Sequence, residues 1–370
     1  MRNTRVAIVP CRSYNREEVD AAVLQAFELL GGVERFVQEG DKVFLKPNLL
    51  RGAEPEYAIA THPEVVGSVA RTVTDKAEYL GAGDSPGFHV AMGSVRSIYR
   101  KYGYEEALKE AGGETVADIT GVEGQGGNHL KRFKALKCVV DADKVINIAK
   151  AKTHSLAGFT GTVKNMFGVI PGPVKGEMHL RYPDAESFAH AMIDICESVP
   201  CALHIIDGIL GMEGPGPSAG KPRKLGYIFA GENPHAVDRV AIEVMGLDQK
   251  AIPQIQCALD RKLVCSLDGI EIVGAKLDDN RANPPFKDAV ERLNPIQQVL
   301  AWILPKKVRR KLLRKPLIEE HCIGCGICAQ ACPPEAISIR DQQALIDYDE
   351  CIRCYCCQEM CPEKAIVLKR

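Results

Sequence analysis

The sequence has almost no net charge, no long apolar run, and no cysteine pattern that suits a secreted disulfide scaffold. Its 47 Lys and Arg stand against 48 Asp and Glu, a formal charge of −1. Nothing global therefore invites nucleic acid, and no such partner is expected. No apolar stretch approaches the roughly 20 residues that span a bilayer. The run "VAIVPC" from Val6 is short and ends at Arg12, so it reads as a first strand and not as a signal peptide. The expected location is the cytoplasm. A chain of 370 residues buries enough apolar surface to fold without disulfide staples. Two nucleotide motifs are also missing. "GPGPSAGKP" has its first glycine at the wrong spacing for a phosphate-binding loop, and Pro222 stands where a magnesium-binding Ser or Thr belongs. "GAGDSPG" lacks the third glycine of a dinucleotide fingerprint in register, so neither ATP nor NAD is expected.

Cysteine, in contrast, is plentiful and unevenly placed. Of 15, nine lie between Cys322 and Cys361. The other six (Cys11, Cys138, Cys196, Cys201, Cys257 and Cys265) sit mostly beside Val, Ile, Leu or Ala, as buried free thiols do. Cys322, Cys325, Cys328 and Cys332-Pro333 form one C-x2-C-x2-C-x3-C-P run, and Cys351, Cys354, Cys357 and Cys361-Pro362 form a second. Tandem runs of this spacing are the bacterial ferredoxin signature, in which the fourth cysteine of each run ligates the other run's cluster. On that rule Cys322, Cys325, Cys328 and Cys361 hold one [4Fe–4S] cluster, and Cys351, Cys354, Cys357 and Cys332 hold the other. Two clusters are the expected cofactors. Zinc knuckles do not repeat three close cysteines plus Cys-Pro, so a pair of zinc sites fits poorly. Cys356 is out of register and reads as a bystander packed near a cluster. After each Cys-Pro a short apolar strand follows, "EAISI" and "KAIVL".

Residues 1 to about 290 alternate short apolar runs with helical patterns, which argues for α/β layering around a largely parallel sheet flanked by helices. "RVAIVPC" and "KVFLKPNLL" read as strands, and "EEVDAAVLQAFELLGG" as an amphipathic helix stopping at Gly31-Gly32. "THPEVVGSVARTV" opens with Thr61 as N-cap and Glu64 three residues on, a capping box. "NPHAVDRVAIEVMG" has Asn233 as N-cap, Pro234 at the first helical position and Gly246 past the end. Apolar strands here run into polar groups: Lys46 and Asn48, Asp84, then Lys150, Lys152 and His154, and Asp207. In open parallel sheets ligands bind beyond the carboxyl ends of strands, so these ends suggest one convergent polar site. The stretch 149–172, "AKAKTHSLAGFTGTVKNMFGVIPG", adds Lys164 and Asn165 on what reads as a Gly/Thr-rich loop able to surround an oxyanion. A metal site of His154, Glu177 and His179 is a further reading, without an H-E-x-x-H pattern behind it.

The blocks "KPNLL", "THPEVV", "GDSPG", "AKAKTH", "TGTVKNMFGVIPG", "IIDGILGMEGPGPSAG" and "GENPHAVDRVAIEVMG", in this order, resemble the family called domain of unknown function 362 over roughly residues 40 to 250. Members commonly carry a two-cluster ferredoxin module, so the resemblance implies association with iron–sulfur redox chemistry and supplies no mechanism. Three parts are expected: an α/β domain over 1–293, a basic linker over 294–316, and a small α+β ferredoxin-like domain over 317–370. From Lys306 to Lys315 seven of ten residues are Lys or Arg. That strip reads as a solvated linker helix, as a docking strip for an acidic redox partner, or, through Val299 to Leu304, as a peripheral membrane contact.

The functional expectation is an iron–sulfur redox protein that accepts electrons from a partner protein and passes them to a small anionic substrate in the α/β domain. Lys46, Asn48, Asp84, Lys150, Lys152, Asn165 and Asp207 would bind or orient that anion. Lys164 and His154 would serve the chemistry, with His154 as proton donor near neutral pH. Two alternatives stand beside it: a non-catalytic electron carrier whose large domain docks partners, and a metal- or cofactor-dependent enzyme with an accessory ferredoxin.

Overall fold

The computed structural model describes residues 4–87, 92–289 and 313–369. The basic strip expected as a linker lies outside the described residues as far as residue 312.

The large domain is built on one mixed, mostly parallel sheet. Its strands are β1 (Arg5–Pro10), β2 (Asp41–Pro47), β3 (Ala77–Ala82), β4 (Glu114–Thr115), β7 (Lys144–His154), β8 (Gly158–Thr160), β9 (Cys201–Glu213), β10 (Lys221–Gly231) and β11 (Glu271–Gly274). They lie in the order β11-β1-β10-β9-β7-β2-β3-β4, with β8 folded back on β7. The run from β9 to β4 is parallel throughout. Only β10 and β8 oppose their neighbours. A separate hairpin, β5 (Gly121–Gln125) with β6 (Arg132–Leu136), stands off the sheet.

Period-two alternation assigns successive residues to two cores. Val6 and Ile8 pack with Phe44, Val145 and Ala149 against the helices Ala185–Ser198 and Pro234–Met245. Ala7 and Val9 pack with Val43, Leu45 and Ile146 against Arg16–Leu29 and Pro63–Val73. Both faces of the sheet are therefore covered, as strands this uniformly apolar require. The expected helix signals at Asn233 and Gly246 hold: Asn233 Oδ1 accepts from the N–H groups of His235 and Ala236, and Gly246 caps the end at φ 71°. The cap expected at Thr61 is in fact His62, whose Nδ1 accepts from Glu64 N–H. Thr61 is buried and spoken for, donating to Ile148 C=O and accepting from Asn48 N–H.

A second correction concerns the stretch from Lys150 onward. It is no loop: β7 continues to His154, turns into β8, and leads into the short helix Thr162–Asn165. Asp238 pins the start of that helix by accepting from Thr162 N–H, Thr162 Oγ1 and Val163 N–H. Likewise β9 does not stop before Asp207 but carries it in mid-strand, opposite Lys150. Of the six scattered cysteines, Cys11, Cys196 and Cys257 are buried and Cys138, Cys201 and Cys265 half-buried, all as free thiols.

The small domain has two antiparallel pairs, β12 (Lys315–Ile318) with β15 (Ile366–Lys369) and β13 (Ile337–Arg340) with β14 (Gln343–Ile346). Between them lie the short helices Ile327–Gln330 and Cys356–Met360.

Candidate functional site

The module's cysteines sort into two groups. Cys322, Cys325, Cys328 and Cys361 line one cavity with Ile318 and Ile366. Cys332, Cys351, Cys354 and Cys357 line another with Ile337 and Ile346. These are the two sets that the exchange of fourth ligands demands, each in an apolar shell, so the residues fit a cubane apiece. Two backbone donors reinforce the fit: Ala336 N–H reaches Cys332 Sγ at 3.2 Å and Ala365 N–H reaches Cys361 Sγ at 3.3 Å. Cys356 lines neither cavity and is fully buried.

A third cavity, of about 60 Å³, opens at the carboxyl ends of β2 and β3. Lys152, Lys164 and Lys175 line it, with His154, His179 and Thr160. Its other walls include Asn48, Asp84, Ser85, Phe167 and Pro217. Across it stands a residue of the small domain, Glu359, whose helix Cys356–Met360 packs onto the large domain. Ser218 Oγ donates to Glu359 C=O at 2.8 Å. Gly87 lies so close to Met360 that an added Cβ would meet the sulfur at 2.9 Å. The rejected "GPGPSAG" motif thus has a use: Pro217 and Ser218 form part of the seat for the module.

Charge in the cavity does not balance internally. Asp84 is taken up by Lys46, which lies behind the wall, 2.9 Å away and fully buried. Gly168 permits this approach, since a Cβ there would meet Asp84 Oδ1 at 2.2 Å and Lys46 Nζ at 2.5 Å. Three lysines, Lys152, Lys164 and Lys175, then share Glu359 and what remains of the Asp84 charge. Lys152 Nζ donates to Ile59 C=O and Lys175 Nζ to Ser85 C=O, neither of them a charge. Lys164 Nζ sits over the rings of Phe167 and Phe188, at 4.9 and 5.9 Å from their centroids.

Burial drives the titration of this group. It brings Lys152 down to about 7, helped by the charge of Lys164. Lys175 is also brought down to about 7, and Lys164 is lowered. Burial and then the neighbouring lysines hold His154 well below the ordinary histidine value, and His179 falls to about 3. Both imidazoles are neutral. His154 Nδ1 accepts from the N–H groups of Leu156 and Ala157, so its proton is on Nε2, 3.2 Å from Glu359 Oε1. An imidazolium acting as proton donor near neutral pH, expected of His154, does not suit this environment.

Several expected site residues lie elsewhere. Lys150 and Asp207 form a buried pair at 2.8 Å, outside the cavity. Tyr14 O–H bridges them, accepting from Lys150 Nζ at 2.7 Å and donating to Asp207 Oδ1 at 3.0 Å. His62 N–H donates to the other carboxylate oxygen. Of the suggested metal set, His154 and His179 line the cavity, but Glu177 points to a separate groove beside Arg132 and Arg181. Outside the cluster cysteines, no group of three or more His, Cys, Asp or Glu suited to a metal ion is found among the described residues. Lys175, His179 as a cavity wall, and Glu359 were not legible as parts of one site. They come from a distant helix and a separate domain, and only the PGP turn before Lys175 hinted at a fixed backbone.

Comparison with known proteins places these parts. The family model described as Domain of unknown function (DUF362) matches residues 43–243, and a 4Fe-4S dicluster domain matches residues 321–365. Over 258 residues the chain is 36% identical to the Thylakoid-associated protein sll1697 of Synechocystis sp., covering 67% of this chain and 76% of that protein. Among solved structures, the lactate racemase apoprotein of Thermoanaerobacterium thermosaccharolyticum aligns with a TM-score of 0.41 and 14% identity, over 64% of this chain and 56% of that one. A Thermotoga maritima protein aligns with a TM-score of 0.37 and 14% identity, over 63% and 59%. The chain thus spans little more than half of either. No helix among the described residues is long and apolar enough to cross a membrane.

Proposed function

The chain belongs to the domain of unknown function 362 family, and from that premise we propose that it carries electrons through two [4Fe–4S] clusters to a small anion bound in the lysine cavity. Cys322, Cys325, Cys328 and Cys361 hold one cluster, and Cys351, Cys354, Cys357 and Cys332 the other. Each supplies one-electron chemistry. Lys152, Lys164 and Lys175 bind the charge of the anion, and Asn48 with Asn165 orients it. Near neutral pH the buried ammonium groups of Lys152 and Lys175, both close to 7, are the ready proton donors. A partner protein supplies the electrons, and Cys325, the exposed member of its set, marks the side they enter from.

The observation that carries this reading is Glu359. It stands two residues after Cys357 and two before Cys361, one ligand of each cluster, and its side chain lines the cavity. A module that merely docked would not need to complete the site's wall with a buried carboxylate, whose desolvation costs several kcal/mol unless cations face it.

The test uses the full chain, purified without oxygen and reduced with dithionite. Saturating acetate should perturb the electron paramagnetic resonance spectrum of the reduced clusters, and the perturbation should vanish in Lys164→Met at unchanged iron content. A spectrum indifferent to acetate in the wild type leaves a carrier whose large domain only docks partners. Iron itself should amount to about eight atoms per chain, falling in Cys357→Ser and persisting in Cys356→Ser.

A further inference from the structure

The cavity's polar atoms are not all suited to an anion, and one has its orientation dictated from outside. Asn147 Nδ2 donates to Thr162 C=O at 2.9 Å. Asn165 Nδ2 donates to Lys46 C=O at 3.2 Å and to Asn147 Oδ1 at 2.7 Å. Backbone carbonyls only accept, so both amides are locked with nitrogen toward them. Asn165 is left with its oxygen facing Asn48, and Asn48 must answer with Nδ2, at 2.9 Å. The chain of three amides therefore forces Asn48 to turn Oδ1 away from Asn165. That oxygen is buried, accepts nothing among the described residues, and belongs to a residue lining the cavity. Its backbone is clamped as well: Asn48 N–H donates to Thr61 Oγ1, and Asn48 C=O accepts from Thr61 N–H.

We propose that the small anion this cavity takes also carries a hydrogen-bond donor, an O–H or N–H a few atoms from its charge, which Asn48 Oδ1 receives. An anion without a donor would leave that oxygen unsatisfied and bind more weakly. Lysine could satisfy the oxygen, yet Lys152 and Lys175 are turned to Ile59 and Ser85 and no bond joins Lys164 to it. Thr160 Oγ1, 3% exposed and likewise unpartnered in the same cavity, can donate to the anion or accept a second donor. The class is thus a short hydroxy- or amino-substituted carboxylate, or an oxyanion that keeps a proton. Charge is read by the lysines and the donor by the amide chain. This inference rests on the anion reading of the cavity.

Three probes separate the two ideas: glycolate, its isostere propanoate, and its methyl ether methoxyacetate, titrated calorimetrically against the anaerobic full chain. Glycolate should bind about tenfold more tightly than either of the others, because only glycolate donates to the buried oxygen that the others leave unsatisfied. In Asn48→Ala, with iron content unchanged, the three should converge to within about twofold. Equal binding of all three by the wild type overturns the donor requirement and leaves the anion reading standing. A glycolate preference surviving in Asn48→Ala overturns the assignment to Asn48. Binding of none overturns both.

Discussion

Lys150 and Lys152 stand two residues apart on β7, both buried, and their surroundings differ in kind. Lys150 has a carboxylate at 2.8 Å and a tyrosine hydroxyl at 2.7 Å, and that carboxylate accepts from three further donors, Tyr14 O–H and the N–H groups of His62 and Ile209. Lys46 has Asp84 in the same way. These are closed networks, in which every charge has an answer inside the fold. Lys152 has a backbone carbonyl, two other lysines in the same cavity, and no carboxylate of its own, since Asp84 is paired with Lys46 and Glu359 arrives from another domain. Evolution of a stable core explains the first arrangement. The second makes physical sense when an anion is meant to enter, because gathered ammonium groups repel one another and burial opposes their charge. A register shift between β7 and β9, falling between Lys150 and Lys152, separates the two settings.

The sharpest way to break the comparison is to remove one partner from the closed network. Asp207→Ala leaves Lys150 buried and uncompensated, and should cost about 3–5 kcal/mol, read as a lowered denaturation midpoint of the large domain. Next in size, Lys164→Met or Lys175→Met should leave that midpoint nearly unmoved and weaken anion binding roughly tenfold to over a hundredfold, the value of one charge-assisted contact. If the cavity lysines prove as destabilising to remove as Asp207, the two regions are alike and the anion reading fails.

A smaller effect comes from pH. In the unfolded chain Lys152 and Lys175 hold their protons to about 10.5, but in the fold only to about 7. Between those values the unfolded state binds more protons, so the free protein should gain stability as pH rises from about 7 toward 10.5. Anion binding runs the other way. A bound anion favours the charged ammonium groups, so binding takes up protons and affinity should fall as pH climbs past about 7. Titration calorimetry in buffers of differing ionisation enthalpy reads that uptake directly. Burial lowers Lys150 too, against the pull of Asp207, but it lies outside the cavity, so its replacement should leave the anion-linked proton uptake unchanged.

Much of this contrast was present in the sequence, and part of it was out of reach. Local rules placed β1, β2, the helix after Asn233 and the cluster cysteines, because each depends on neighbours a few residues away. The Cys-x2-Cys spacing even anticipated which cysteines meet across the module. What failed were judgements about how far strands run and what lies opposite. A polar residue after an apolar run looks like a strand end, but β7 and β9 carry Lys150 and Asp207 inside the sheet because each neutralises the other. Thr61 looks like a cap, but its hydroxyl is used to tie β2 to β7, and His62 takes the role. Glu359 carries no local signal for the cavity at all. Its part depends on how one domain seats on another.

Native mass spectrometry of the full chain, purified without oxygen, tests the central claim most directly. The wild type should carry a small anionic ligand alongside about eight irons, and Lys164→Met should show the same iron without the ligand. Identical masses for the two proteins, once the substitution itself is subtracted, would contradict the account.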